Sequence, residues 1–228
     1  AFFVCGFHVT LIGAYLPRYG EDLGHKDTAT TALALIGLFN VFGSLAAGAL
    51  GGKHSKTKLL SGIYAARALV ISVYILLPPE PAFTLLFGAA IGLLWLSTVP
   101  LTSGMVTEQF GTTHSGALFG IVFFSHQLGA FAGALGGSWA HDRYGSYDLV
   151  WWIAVALGVA ASLIHLSIEE GPVQNTPSGT TRAGGLLPAG GLASVLLIVG
   201  IGAVLLPVLT GSDDIGVLVS WCFSVLER

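Results

Sequence analysis

Apolar residues along this chain fall in long runs, and charged residues mark the gaps between them. Ala1 to Pro17 holds no Asp, Glu, Lys or Arg, and the polar stretch Arg18 to Asp27 follows. Thr28 to Gly52 is again free of charge and gives way to the basic stretch Lys53-His54-Ser55-Lys56-Thr57-Lys58. Leu59 to Pro79 is apolar except for Arg67. Pro81 to Thr107, Ser115 to Ala140 and Leu149 to Ile168 complete the series, and Glu169-Glu170-Gly171-Pro172 closes it. Each run is close to the ~20 residues that cross a bilayer as a helix. Backbone groups in hydrocarbon must bond within their own segment, so the runs predict six transmembrane helices at about 1–17, 28–52, 59–79, 81–107, 115–140 and 149–168. No stretch of about ten residues alternates in polarity, which excludes a membrane barrel.

After residue 170 the pattern changes. Residues 171–185 are rich in Gly, Thr, Pro and Ser and read as a flexible linker. Residues 186–228 form an extra hydrophobic segment and tail: Leu186 to Leu209 is long enough to span, with Pro188 and Pro207 inside it, whereas Ile215 to Leu226 is too short.

Composition agrees with this division. The chain has 228 residues, 54% hydrophobic and 9% charged, where soluble domains carry about 25% charge. So few charges cannot coat a water-facing surface. The net charge of −3 and the lack of a basic block exclude a nucleic-acid partner. Cys5 and Cys222 stand far apart in apolar stretches and imply neither a disulfide framework nor a thiolate metal site. The chain opens inside an apolar run with no charged leader, as a fragment would.

The hexapeptide Ala47-Gly48-Ala49-Leu50-Gly51-Gly52 recurs as Ala132-Gly133-Ala134-Leu135-Gly136-Gly137, each copy closing the second helix of a three-helix group. Three helices per unit would send the second unit into the membrane from the opposite side, giving a 3+3 inverted repeat, a transporter architecture. Stripes of glycine spaced by four (Gly48 and Gly52; Gly88 and Gly92; Gly129, Gly133 and Gly137) predict close helix packing.

The segment Gly48 to Lys56 resembles the loop motif Gly-x-Leu-x-Asp-Arg-x-Gly-Arg of major facilitator transporters. It departs at Gly52, where Asp is common, and at Ser55, where Gly is usual, so a charge latch through that Asp is not expected. Ser125-His126-Gln127-Leu128-Gly129, then Gly136-Gly137 and Asp142 to Tyr147, resembles helix eleven and its loop in the monocarboxylate and oxalate–formate branch. The resemblance covers roughly residues 1–170 and implies the C-terminal six-helix half of a major facilitator fold, with helices seven to twelve present and a homologous N-terminal half as missing partner. It further implies a secondary transporter of a small organic anion, such as a mono- or dicarboxylate, working by alternating access with proton coupling or exchange. The expected location is a bacterial cytoplasmic membrane, with the 52–58 loop in the cytoplasm. Lys53, Lys56, Lys58 and Arg182 then lie on the cytoplasmic side against Arg18, Lys26 and Arg143 on the other.

Polar residues at membrane depth are costly and are therefore functional candidates. His126 titrates near neutrality and could carry a coupling proton; the alternative is a plain interhelical hydrogen bond on its glycine-lined face. Arg67 could bind an anion, or could pair with a carboxylate or with helix-end carbonyls. His8 and Tyr15 share a face of the first helix, and the resemblance places that helix beside the cavity. Asn40 and Gln127 are further candidates for substrate contact. Trp95, Ser97 and Thr98 precede Pro100, which could break the helix and free a carbonyl. His165 and the Trp151-Trp152 pair read as membrane-surface residues. No metal-ligand spacing, phosphate loop or cofactor motif is present in the sequence, and Ser103 with His126 makes a poor hydrolytic dyad, since Leu101-Thr102-Ser103-Gly104 lacks the expected first glycine. The chain is therefore read as no enzyme; a transport-inactive membrane scaffold or subunit is the alternative to a transporter.

Overall fold

The computed structural model describes residues 1–78, 80–168 and 170–171. Most of the linker at 171–185, the whole segment 186–228, Arg182 and Cys222 lie outside the described residues. The described chain is all helix: α1 (Phe2–Asp22), α2 (Lys26–Gly51), α3 (Lys56–Leu76), α4 (Pro81–Leu94), α5 (Thr98–Phe110), α6 (Ser115–Tyr144) and α7 (Asp148–Leu166). Among the described residues five stretches are long and apolar enough to cross a membrane: α2, α3, α4 with α5 taken together, α6 and α7. α1 is about 31 Å long, enough to cross, but His8, Pro17 and Arg18 dilute its apolar character.

Charge marks the spans but does not stop a helix. α1 runs past Pro17 to Asp22, and α6 runs past Ala140 to Tyr144, each adding a polar turn that needs no hydrocarbon around it. The stops come from backbone chemistry. Gly111 ends α5 at φ 77° and Gly145 ends α6 at φ 66°, left-handed values that a side chain would oppose. Ser55 caps α3, its Oγ accepting the Lys58 N–H at 3.2 Å. Pro81 starts α4 in the first turn, where no N–H is required.

The largest departure from the expected pattern is in the fourth span. A single helix over 81–107 is replaced by α4 and α5, with a break at 95–97. Pro100 explains the place. It falls in the first turn of α5, where its missing N–H costs nothing, whereas inside one continuous helix it would clash with the carbonyl four residues earlier.

The principal helix pairs are α1 with α6, α2 with α4, and α3 with α7. Count α4–α5 as one span and exchange the first three spans with the last three. The first two pairs then swap, and the third maps onto itself. That is what a twofold pseudo-axis through an inverted repeat requires. At one end of the bundle the α2–α3 connection meets the end of α5 through Lys56 and Glu108 (2.7 Å). The same connection meets the end of α7 through Glu170, which accepts from Ser55 Oγ at 3.0 Å and Thr57 Oγ1 at 2.9 Å. These contacts latch this end of the bundle with glycine, not aspartate, at 52. At the other end Asp22 faces His141 at 4.0 Å.

Glycine sets how closely the pairs approach. A Cβ at Gly129 would fall within the Phe3 carbonyl, one at Gly133 would lie 2.6 Å from the Phe7 oxygen, and one at Gly137 would enter the Tyr15 ring. On α4, Gly88 and Gly92 meet Ala32 and Ile36 of α2 in the same way. On α2 the expected stripe is rotated by one residue. Gly43 and Gly51 make the contacts, to Leu93 and Leu101, while Gly48 has nothing within 4 Å. The recurring hexapeptide thus marks equivalent spans but not equivalent packing faces.

Two residues read as membrane-surface residues turn inward at the two ends of α7. Trp151 is fully buried, its ring meeting Tyr19, Tyr74 and Phe87 edge-on or tilted; Trp152 is the half-exposed member of the pair. His165 is buried too, stacked on Tyr64 and donating to the Ala161 carbonyl at 2.8 Å. Both lie on the α7 face that α3 covers.

Candidate functional site

The break in the fourth span leaves backbone groups without helical partners at membrane depth, and side chains from two other helices satisfy them. Arg67 on α3 sends Nε to the Leu94 carbonyl at 3.1 Å, and its Nη2 donates to the carbonyls of both Leu94 and Trp95. Asn40 on α2 accepts the Leu96 N–H at 3.0 Å, while Ser44 donates to the same amide oxygen at 3.2 Å. Ser97 Oγ donates to the Leu93 carbonyl at 2.6 Å. Of the readings open for Arg67, capping helix-end carbonyls is therefore the contact observed. Arginine suits this place, because one planar fork can serve two acceptors at once.

Arg67 is only 1% exposed, yet its Nη1 has no hydrogen-bond partner. Its guanidinium also faces the Tyr64 ring, 5.5 Å from the centroid, and stands within electrostatic range of the Cys5 thiol. Cys5 is fully buried on α1, its Sγ 3.3 Å from Thr98 Oγ1 at the start of α5. The His126 imidazole of α6 is likewise within electrostatic range of this thiol. His126 stacks on Phe123 at 5.3 Å between centroids, is flanked by Phe2, and donates from Nδ1 to the exposed Gln127 Oε1 at 3.4 Å. One cluster thus joins α1, α3, α5 and α6: a fixed cation, a thiol, an imidazole and a hydroxyl.

The expected candidates divide around this cluster. Arg67 and His126 belong to it, and Gln127 forms its outer edge. Asn40 supports the same break from the α2 side. His8, 1% exposed, donates from Nε2 to the Ala154 carbonyl of α7 at 2.8 Å and leaves Nδ1 without a partner. Tyr15 stands two turns further along α1 and away from the rest. Its hydroxyl donates to the Ala134 carbonyl, and its ring occupies the space over Gly137 and faces Tyr147. Cys5, Tyr64 and Thr98 carry more of the cluster than the sequence suggested. Tyr64 was legible, since it precedes Arg67 by three residues and so shares its face of α3. Cys5 was not, because the contact joining it to Arg67 runs between helices more than sixty residues apart.

Among the described residues no group of three or more His, Cys, Asp or Glu side chains is placed to hold a metal ion. The arrangement favours an anionic or proton-bearing partner. A buried guanidinium with an unused N–H attracts an acceptor, and no Asp or Glu is paired with it among the described residues.

The sequence profile of the Major Facilitator Superfamily matches residues 1–225. A Bacillus subtilis (strain 168) protein titled "Uncharacterized MFS-type transporter YcxA" is 28% identical over 174 residues, which cover 72% of this chain and 41% of that protein. The matched part is thus less than half of that relative. No solved structure matches.

Proposed function

Because the chain belongs to the major facilitator superfamily of membrane transporters, we propose that it forms the C-terminal half of a secondary transporter for a small organic anion, coupled to protons or to exchange. In this reading it works by alternating access with a homologous N-terminal half, in a bacterial cytoplasmic membrane. The observation that carries the proposal is Arg67, buried, unneutralised by any described carboxylate and holding a free Nη1 beside His126 and Cys5. A carboxylate is the simplest ligand for such a fork. The likeness of the Ser125–Gly129 and Asp142–Tyr147 segments to the monocarboxylate and oxalate–formate branch supports the same substrate class. His126, between the exposed Gln127 and the buried thiol, is the coupling group, since imidazole exchanges protons near neutral pH.

The test is uptake of labelled monocarboxylates and dicarboxylates into cells or vesicles holding this chain together with an N-terminal half. Uptake should appear and rise with an inward proton gradient. His126→Gln keeps a hydrogen-bonding side chain and removes the titratable group. It should abolish gradient-driven accumulation, while substrate exchange persists. Accumulation that survives the change removes His126 as the coupling group. Absence of any carboxylate uptake removes the substrate class and favours the scaffold alternative.

A further inference from the structure

We propose that His141 and Asp22 form a proton-operated latch: when the imidazole takes up a proton, its contact with the carboxylate becomes an ion pair that ties the end of α6 to the end of α1. The latch belongs to the bundle itself and is independent of what the chain carries. It follows from the inverted repeat. Exchange of the first three spans with the last three carries the α2–α3 connection onto the α6–α7 connection, and the end of α5 onto the end of α1. The two connections start their following helices alike: Ser55 Oγ accepts the Lys58 N–H at 3.2 Å, and Ser146 Oγ accepts the Asp148 N–H at 3.0 Å. Beside each connection a basic residue faces an acid at the end of the exchanged span. At one end of the bundle this is Lys56 with Glu108 at 2.7 Å, and at the other it is His141 with Asp22 at 4.0 Å. Lysine holds its charge throughout the neutral range, whereas the second pair has both charges only when the histidine is protonated.

The pair is built onto the seam between α1 and α6. The Tyr15 ring fills the space over Gly137 and faces Tyr147, with centroids 5.2 Å apart. Tyr147 is buried and stacks on His141, with centroids 4.7 Å apart and planes 25° apart. Asp22 follows Tyr15 by two turns of α1 and so shares its face. The imidazole therefore touches a buried phenol ring on one side and meets a carboxylate on another. The stack orients the ring before any proton arrives, so that pairing orders less than it does between two free surface chains. Both neighbours attract a cation more strongly than a neutral ring, the carboxylate by its charge and the phenol by its π face. Other charged or titratable groups stand at this end. From α1 there are Arg18, 5.7 Å from the Tyr15 centroid and within electrostatic range of Tyr147, and Glu21, which is paired with Lys26 of α2 at 2.9 Å. His25 lies in the turn between α1 and α2, Asp148 opens α7, and Asp142 and Arg143 follow His141 on α6.

The two ends of the bundle then answer acid differently. A proton reaching the Asp22 end strengthens the tie between α1 and α6 there, while the Lys56–Glu108 pair at the other end already has both its charges. His141 and Asp22 are 42% and 50% exposed, so water screens the pair and the gain is that of a surface ion pair, a factor of roughly 1.5 to 5 in an equilibrium constant. Conformations in which the two helix ends stay together are favoured by that factor over those in which they part. A lysine at 141 would remove the switch and leave the tie.

The experiment is a double-mutant cycle on the full chain, read by reversible denaturation in mixed detergent at about pH 8 and about pH 5.5, on either side of the ordinary imidazole value of about 6.5. The parent, Asp22→Asn, His141→Gln and the double variant make up the cycle. Both substitutions replace half-exposed side chains by neutral ones of similar size, and the titrations of all other groups cancel in the comparison. The coupling should be absent at the higher pH and reach roughly 1.5- to 5-fold in the unfolding equilibrium constant at the lower. A second cycle, with Lys56→Gln and Glu108→Gln, should show the same coupling at both. A third, built on His141→Lys, should show coupling to Asp22 at both, because the cation is then permanent. Coupling between His141 and Asp22 that is absent at the lower pH, or equal at the two, overturns the proposal. So does a His141→Lys cycle without coupling at either pH, since the two positions then do not meet.

Discussion

Replacing Gly133 by alanine adds one methyl at the seam between α1 and α6. The new Cβ would lie 2.6 Å from the Phe7 carbonyl oxygen, where ordinary contact begins at 3.4 Å. The obstacle is α1 backbone, which cannot rotate aside, so the two helices must part by about 0.8 Å. A gap of that size forfeits roughly a quarter to a half of each van der Waals contact along the seam. Overpacking of this kind costs about 1–3 kcal/mol, against a gain of ~0.5–1 kcal/mol from replacing a helical glycine. The net expectation is a loss of up to about 2.5 kcal/mol. Gly120 on the same helix supplies the internal control: nothing lies within 4 Å of its Cβ position, so Gly120→Ala should leave stability unchanged or raise it by ~0.5–1 kcal/mol. Reversible denaturation of the full chain in mixed detergent measures both. Shifts of the same sign and size would refute the claim that backbone contact at Gly133 holds α1 to α6.

Two more expectations follow from single contacts. Arg67→Met should destabilise the chain by roughly 2–6 kcal/mol, because the carbonyls of Leu94 and Trp95 stay behind without donors at about 1–3 kcal/mol each, and Arg67→Lys should recover part of this; equal stability of all three would mean that the break does not depend on the guanidinium. At Glu170, partial burial pushes the carboxyl upward, but the Thr57 backbone N–H and hydroxyl, the Ser55 hydroxyl and the charge of Lys56 outweigh it and hold the group below the usual carboxylate range. A lowered folded value means that the contribution is present above the unfolded value of about 4.3 and is lost as pH falls through the folded one. Wild type should therefore exceed Glu170→Gln in melting temperature at neutral pH, and the two should converge in acid; a difference independent of pH rules out the latch.

Much of the architecture was legible because hydrocarbon imposes one rule on every run: a segment that cannot bond to water must bond to itself, and charge-free length then reports the spans. The limits of that rule are equally specific. It gave no stop at Asp22 or Tyr144, since a helix extends past the bilayer wherever its capping residues allow. It did not say which face of α2 packs, and the answer, through Gly43 and Gly51, is one residue away from the stripe that spacing suggested. Pro100 announced a break in the fourth span without locating the arginine that closes it. In the candidate site, Arg67 and His126 were visible because ionisable groups are rare in such a sequence. Cys5 was not, because a thiol among apolar residues looks the same whether it meets leucine or a guanidinium. Only the tertiary arrangement of α1 with α5 and α6, which sets Cys5 beside Thr98, distinguishes the two.

The dependence of the fourth span on Arg67 has a counterpart in time. Synthesis proceeds from the N-terminal end, so α3 reaches the membrane before Leu94 and Trp95 exist. Until they do, an arginine near the middle of that helix has neither of its carbonyl partners, a state that opposes insertion by about 2.5–3.5 kcal/mol. The third span therefore enters as a provisional guest. It hovers between the insertion machinery and the lipid until the broken helix arrives to accept its charge, and nascent chains truncated before residue 94 should be caught in that wait by their failure to resist alkaline extraction.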